Sequence, residues 1–382
     1  MLYTFSDAVL HMQDYMGDFN EGRSERYAKR AATDALRELS NIHPWTYYKA
    51  VVPVTTVASY STGTVAFDYT GGTYERQLTL TDGIFPLWIE DGCVIINTIP
   101  YEVDQRVSDT VVTLTRASNP GADVSSTTYV AYRDTYPLPV DFVSVDRALN
   151  LLRTFEMTYV TPKDWLSSQR WMRTPTNIWY YTILGDQNYQ GGMAMKFAGA
   201  PSSVEVINIL YRRRPRPLRY HEYKAGTVSV SAESATITGT GTVFSAFMIG
   251  SVIRLYDGTD YPTNEEGDTP AYVERIITDV SSGTVLTVDA EVPNAYTNVK
   301  YIITDPIDID KQTMLGAYKR TCEKLIEQQR QGENFDSVAA SWLTEVRMAM
   351  AADKRYTGSS SAGQGMPVGS GRLGDDAIVR FS

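Results

Sequence analysis

Ile89-Glu90-Asp91-Gly92-Cys93-Val94-Ile95 lines up with Phe247-Met248-Ile249-Gly250-Ser251-Val252-Ile253, and this pairing decides the reading of the chain. Other matches surround it in the same order. Gly63-Thr64-Val65 answers Gly226-Thr227-Val228, and Val112-Thr113-Leu114-Thr115 answers Leu286-Thr287-Val288. Tyr129–Tyr132 sits where Val299–Ile303 sits, and a proline follows each, Pro137 and Pro306. Matches that keep their order predict two divergent copies of one β module of roughly 75–80 residues. In the first copy Tyr47–Val54, Val65–Tyr69, Gln77–Leu80, Cys93–Ile96, Val111–Thr115 and Tyr129–Tyr132 alternate with period two and are rich in Val, Ile, Thr and Tyr. Gly71-Gly72, Asp82-Gly83, Asp91-Gly92 and Asn119-Pro120-Gly121 punctuate them, as turns do between strands.

Working outward, the period changes to that of a helix. Phe5, Val9, Met12 and Met16 mark one helix, and Asn20-Glu21-Gly22 breaks it. A second runs from about Ser24 to Ile42, with Ala28, Ala31, Ala35, Leu39 and Ile42 on one stripe, until Pro44 stops it. Arg26, Lys29, Arg30, Asp34, Arg37 and Glu38 occupy its other side, so the small-residue stripe is a packing face. Between the two modules, Thr161-Pro162-Lys163-Asp164 predicts a short helix through Trp165 to about Trp171, with a capping residue and a proline at its first position. Ile178–Leu184, Met193–Ala198 and Val204–Tyr211 read as strands. Helical spacing returns from Asp308 with Leu315, Tyr318, Cys322, Leu325 and Gln329, then again with Phe335, Ala339, Trp342, Val346 and Ala349.

The expected fold class is therefore α+β, a helical bundle built from both chain ends with two inserted β-rich, sandwich- or barrel-like modules and an extended C-terminal tail. The segments fall at 1–46 (first helical part), 47–135 (first β module), 136–223 (mixed α/β), 224–305 (second β module), 306–352 (second helical part) and 353–382 (tail).

Composition narrows the function. A formal net charge of −10 over 382 residues argues against general nucleic-acid binding, since phosphate contacts need a basic footprint. An acidic or neutral lumen that DNA passes without sticking is compatible with it. The 26 tyrosines suit strands and wet protein contacts. Cys93 and Cys322 lie far apart in apolar patterns, as buried hydrophobes rather than a disulfide framework. No run reaches the roughly 18 apolar residues that span a bilayer, and the first residues carry no secretory pattern. Folding in a reducing cytoplasm, without a membrane anchor, is the expectation.

A search for chemistry returns no catalytic, cofactor-binding or metal-binding residues. His11, His43 and His221 have no ligand spacing, and neither a Gly-x-Ser-x-Gly elbow nor a phosphate loop occurs. Glu265-Glu266-Gly267-Asp268 reads as a solvated hairpin loop. Asp305-Pro306-Ile307-Asp308-Ile309-Asp310 reads as the entry to a helix, whose dipole carboxylates offset. Both lack the calcium-loop pattern. The sharpest charge feature is Arg212-Arg213-Arg214-Pro215-Arg216, read either as a solvated strand exit or as a set that pairs with carboxylates of a neighbouring subunit. DNA contact is a third option for it.

From Tyr356 to Gly374 the chain is dominated by Gly and Ser, which cannot bury enough surface to offset ordering entropy. It ends in the alternating Ala377-Ile378-Val379-Arg380-Phe381-Ser382. Such a tail takes a fixed shape only against another chain.

Several stretches together resemble the head-to-tail adaptor (connector) proteins of tailed bacteriophages. They are Ala35-Leu36-Arg37-Glu38-Leu39 closing the helix pair, Trp45-Thr46-Tyr47-Tyr48 opening the β region, Tyr136-Pro137-Leu138-Pro139-Val140-Asp141-Phe142 after it, and Tyr211 through Leu218 in the middle segment. The resemblance spans most of the chain in organisation, through packing and turn patterns. It implies a non-enzymatic, ring-forming homo-oligomer, typically of twelve copies, at the portal–tail junction of a virion assembled in the host cytoplasm. The implied partners are a portal protein and a tail nozzle or tail-tube protein, with double-stranded DNA passing through the lumen unbound. It also implies portal docking by the tail, with Ile378, Val379, Arg380 and Phe381 as the anchor, through strand addition or pocket insertion. About 25 extended residues reach roughly 80–90 Å. Arg212, Arg213, Arg214 and Arg216 are then candidates for pairing between subunits. Two sizeable β modules depart from the shorter members of that family. A tail nozzle, tail-tube or baseplate subunit would also be β-rich, and a carbohydrate-binding surface protein is a third class.

Overall fold

A computed structural model describes residues 2–17, 22–152, 155–165, 179–186, 189, 191–263, 273–330 and 335–356. Strand accounts for 39% of the structure and helix for 27%, in four sheets of which two are near-barrels. This overturns the expected helical bundle with β insertions: the protein is mostly β, and helices are its minority. Strands that do not alternate cleanly account for much of the difference. Phe142–Asn150 is nine residues long, yet β-bulges between Phe142 and Ser144 and between Val145 and Arg147 break its period.

The chain divides into two compact units. One contains Lys49–Arg214; the other is built from Met1–Tyr48 and Pro215–Ala362.

In the Lys49–Arg214 unit, two four-stranded sheets share one core. The first contains β1 (Lys49–Thr55), and seven strands of a separate barrel follow it: β2 (Thr64–Asp68), β3 (Gln77–Thr81), β4 (Gly92–Ile96), β5 (Ile99–Arg106), β6 (Val111–Leu114), β7 (Val124–Thr127) and β8 (Tyr129–Arg133). The chain then returns as β9 (Thr135–Pro137), β10 (Phe142–Asn150), β11 (Phe155–Glu156), β12 (Thr158–Tyr159), β13 (Tyr180–Gly185), β14 (Met193–Phe197) and β15 (Val206–Arg213). The sandwich sheets run β1-β15-β10-β11 and β12-β13-β14-β9 around Tyr136, Phe142, Met195, Phe197, Ile207 and Ile209. The short helix begins as expected, with Thr161 and Asp164 bonding reciprocally, and is described only to residue 165.

The barrel order is β7-β2-β3-β6-β5-β4-β8. Only Thr128 separates β7 from β8, yet they lie at opposite edges. One bent strand therefore pairs with β2 at its start and with β4 at its end, which nearly closes the sheet.

The other unit repeats this design. Its barrel strands are β16 (Thr227–Val230), β17 (Ser234–Thr240), β18 (Val252–Leu255), β19 (Val273–Ser282), β20 (Val285–Val292), β21 (Tyr296–Val299) and β22 (Tyr301–Thr304). Their order, β21-β16-β17-β20-β19-β18-β22, is the first barrel's order strand for strand. The register of the expected repeat needs one correction. Val94 and Ile96 face the first core, paired with Ala131 and Tyr129, as Ile253 and Leu255 face the second, paired with Ile303 and Tyr301. Val94 thus corresponds to Ile253, not Val252. A slip of one residue would turn the strand inside out.

An aromatic device is also duplicated. Tyr129 donates its hydroxyl to the Thr62 carbonyl at 2.9 Å, and Tyr301 donates to that of Ala225 at 2.6 Å. The acceptors precede Gly63 and Gly226, whose φ values are +83° and +76°. Phe85 meets Tyr129, and Phe244 meets Tyr301, edge-on with centroids 6.1 Å apart in both barrels. Tyr60 and Tyr223 complete the two sets, accepting backbone N–H groups of Ile84 and Val243.

A Cβ on either glycine would collide with a backbone carbonyl, that of Thr81 or Thr240. Gly63→Ala and Gly226→Ala should each cost about 2 kcal/mol or more, because left-handed strain adds to that collision. Gly121→Ala, also at positive φ but with open space around it, should cost about 1 kcal/mol. Denaturant midpoints of the three variants check the ranking.

The helices of this unit are α1 (Phe5–Met16), α2 (Gly22–Ile42), α3 (Leu315–Arg330) and α4 (Phe335–Tyr356). Thr4 and Asp7 form a capping box on α1, and Gly17 ends it in the left-handed conformation. The predicted alanine stripe is fully buried: Ala28, Ala31 and Ala35 let α2 approach α3 closely, around Leu39, Tyr318, Cys322 and Ile326. Trp45, Tyr48, Ile307 and Ile309, all outside the α-helices, fill the same core. No helix among the described residues is long and apolar enough to cross a membrane.

Candidate functional site

The side chains that could carry chemistry are engaged in structure. His11 Nε2 lies 3.2 Å from Glu323, His43 Nε2 lies 3.0 Å from Asp353, and His221 Nδ1 lies 3.7 Å from Glu25. Each pair ties one structural element to another. Both cysteines are buried thiols. Burial pushes Cys322 well above the ordinary thiol range, and burial with the nearby Asp134 carboxylate does the same for Cys93. Among the described residues no cluster of three or more His, Cys, Asp or Glu could hold a metal ion.

A cleft of about 290 Å³ in the Lys49–Arg214 unit is lined by Cys93, Glu102, Tyr132, Asp134, Trp165 and Lys196. Two of its ionic groups, Lys196 and Asp134, pair with each other. Lys196 Nζ is 3.2 Å from Asp134, and although burial opposes the ammonium charge, this carboxylate holds the lysine pKa above its usual value.

The arginine run divides. Arg212 and Arg213 end β15 half-buried, and the Arg214 side chain is exposed while its N–H donates to the Asp141 carbonyl at 2.6 Å. Arg216, expected to pair across subunits with the others, turns into its own unit. Its backbone N–H donates to Asp308 at 2.8 Å, and its guanidinium reaches Asp305 at 3.2 Å and Ser251 at 3.1 Å. The tail anchor, Ile378, Val379, Arg380 and Phe381, lies outside the described residues.

The acidic segment 305–310 is likewise more than a helix entry, because α3 begins only at Leu315. Asp310 accepts from Gln312 N–H and Thr313 Oγ1 just ahead of that helix. Asp305 is fully buried and accepts four bonds, from the N–H groups of Arg219 (2.5 Å) and Tyr220 (2.7 Å), from Arg216 and from Ser251 Oγ (2.6 Å).

Sequence reading missed a second ionic knot. Arg254, 2% exposed, holds Asp7 with two bonds of 2.8 Å and Glu274 with one of 3.0 Å. Burial opposes its charge, and the two carboxylates outweigh that, leaving the guanidinium pKa above its ordinary value. The available signal was an arginine inside the apolar run Val252-Ile253-Arg254-Leu255.

Also missed were two exposed apolar arches. Between β3 and β4, Phe85 and Ile89 point into the barrel, and Ile84 (60% exposed) and Leu87 (82%) point out. Between β17 and β18, Phe244 and Met248 point in, and Val243 (73%) and Phe247 (64%) point out. Both arches contain a short 3-10 turn, Leu87–Asp91 and Ala246–Met248. The Arg219 guanidinium stacks on Phe247, 4.8 Å from the ring centre. Alternation marks buried strands, but turn residues carry no period that separates an outward apolar side chain from an inward one.

His221 sets a pH dependence. Burial lowers its pKa against the opposing pull of Glu222 and Glu25, and it packs edge-on against Phe5. The folded chain therefore resists protonating it, while the unfolded chain takes up the proton near pH 6.5. Stability of this unit should be complete above that pH and should fall as acidification proceeds below it. His221→Gln should flatten that part of the stability–pH curve, measured by denaturant titration from pH 8 to pH 5.

No family model, no curated protein and no solved structure matches this chain.

Proposed function

We propose that this protein is a structural subunit of a tailed-phage virion, a ring-forming adaptor between portal and tail that works by assembly and not by catalysis. The observation that carries the assembly reading is the pair of exposed apolar arches at the same place on two barrels. Bulky apolar side chains held out into solvent twice over are what a subunit needs at its contacts. The virion reading adds the order of elements, with a helix pair, β region, second helix pair and Gly/Ser-rich tail in the sequence of a connector protein. The net charge of −10 suits a channel that duplex DNA passes without binding. In this reading Arg212, Arg213 and Arg214 face neighbouring subunits, and Ile378–Phe381 anchor each copy on the portal.

Deleting Gly358–Ser382 should abolish attachment to portal rings in a co-sedimentation assay and leave the fold intact by circular dichroism. Normal attachment of the truncated chain would refute tail docking. The dominance of strand over helix also favours a second reading, a tail nozzle or tail-tube subunit. Labelling the chain in intact particles separates the two by its distance from the portal.

A further inference from the structure

The two arches are alike in shape and unlike in charge. The first, Gly83-Ile84-Phe85-Pro86-Leu87-Trp88-Ile89-Glu90-Asp91-Gly92, carries two carboxylates and no base. Asp82 precedes it, and Asp109 is tied to it through Arg106, which bonds both the Phe85 carbonyl and the Asp109 carboxylate. Arg106 and Arg133, the latter paired with Asp91, answer two of these four acids, so a surplus of negative charge remains. The second arch, Gly241-Thr242-Val243-Phe244-Ser245-Ala246-Phe247-Met248-Ile249-Gly250, has no charge of its own. Its outward ring is covered on one face by the cation of Arg219, an exposed residue.

Duplication makes this difference informative. The barrels keep the same strand order, the same inward aromatic and the same hydroxyl-to-carbonyl bond, and both keep large apolar groups outward on the arch. Isolated exposed hydrophobes are ordinary, but Ile84 and Val243 repeat one exposed position just ahead of the inward aromatic, and each arch adds a second outward apolar group, Leu87 or Phe247, which packing within neither barrel explains. Opposite charge at otherwise matching tips is the pattern of two halves of one contact.

We propose that the second arch of one copy docks on the first arch of another copy of this chain. Phe247 and Val243 lie against Leu87 and Ile84, with Arg219 facing Glu90. The partner is thus a second copy, and the contact is heterologous: each copy offers one arch to each of two neighbours. Such a contact propagates and closes into a ring when the rotation per step divides the circle. This deepens the assembly reading and rests on it.

Full-length chain, analysed by sedimentation velocity and mass photometry, tests it. Leu87→Glu and Phe247→Glu should each reduce the closed oligomer to monomer, with unchanged thermal unfolding because both side chains are exposed. An equimolar mixture of the two variants should give a dimer and nothing larger, since it contains one intact pair of arches. Arg219→Glu should weaken self-association about tenfold, and adding Glu90→Arg to the same chain should restore it. Deleting Gly358–Ser382 should leave the oligomer intact.

If only one of the two arch variants dissociates, or their mixture stays monomeric, the heterologous pairing is wrong. If both variants still form the wild-type oligomer, or if truncation of the tail alone destroys it, the surface is wrong while the assembly reading stands. If the wild-type chain is monomeric at every concentration, both fall.

Discussion

Replacing Arg254 with methionine should destabilise its unit by about 3–5 kcal/mol, the range for a buried ion pair broken on one side. The side chain is of similar length, so little volume is lost; what changes is that Asp7 and Glu274 lose their shared cation. Asp7 also completes the capping box of α1, accepting from the N–H of the cap residue Thr4 at 2.9 Å. A charge left unpaired there also disturbs the start of the helix. The contact joins α1 to β18 and β19, so the loss should appear in both helical and barrel signals. A triple variant, Arg254→Met with Asp7→Asn and Glu274→Gln, should recover much of the loss, because no buried charge then remains unpaired. Denaturant unfolding followed by far-ultraviolet circular dichroism measures both. Equal stability of Arg254→Met and wild type would show that the knot is solvated.

Asp305→Asn should have an effect of similar size, about 3–5 kcal/mol, for a different reason. Asparagine keeps the shape but presents one acceptor oxygen and two donors to four groups that all donate. At least two of them lose their partner in a site closed to water, at about 1–3 kcal/mol each. Two of the four are the backbone N–H groups of Arg219 and Tyr220, which lead the chain into the second barrel. Amide hydrogen exchange should therefore show loss of protection at Arg219 and Tyr220 before the barrel strands lose theirs. Adding Arg216→Met to Asp305→Asn should cost less than it does in the wild-type background, since the two side chains share one interaction.

What was legible in the sequence follows from where period and burial coincide. Ala28, Ala31, Ala35 and Leu39 gave the packing face of α2 because a helix buried on one side repeats it every turn. Gly63 and Gly226, with Val112-Thr113-Leu114 and Leu286-Thr287-Val288, disclosed the duplicated barrel because their backbone and core constraints are the same twice. The rest was obscured by features that break a period. The bulges of Phe142–Asn150 hid the longest sandwich strand, and taking Gly92 and Gly250 as equivalents matched Val94 one residue out of register. The fold class failed because helices announce themselves in long stripes, whereas the strand content is spread over many short segments.

The candidate site was less legible. Asp305 and Arg254 stand among residues of other periods, and their roles depend on partners dozens to hundreds of positions away. Arg216 reads like its three neighbours, yet once the chain has left β15 it pairs with Asp305. Leu87 and Phe247 differ from core residues only in direction, which the arch geometry decides.

Electron microscopy of the purified full-length chain, at concentrations up to about those of a packed assembly, tests the central claim most directly. The account predicts closed rings of one size with an open centre. Solitary particles of a single chain throughout that range would contradict it.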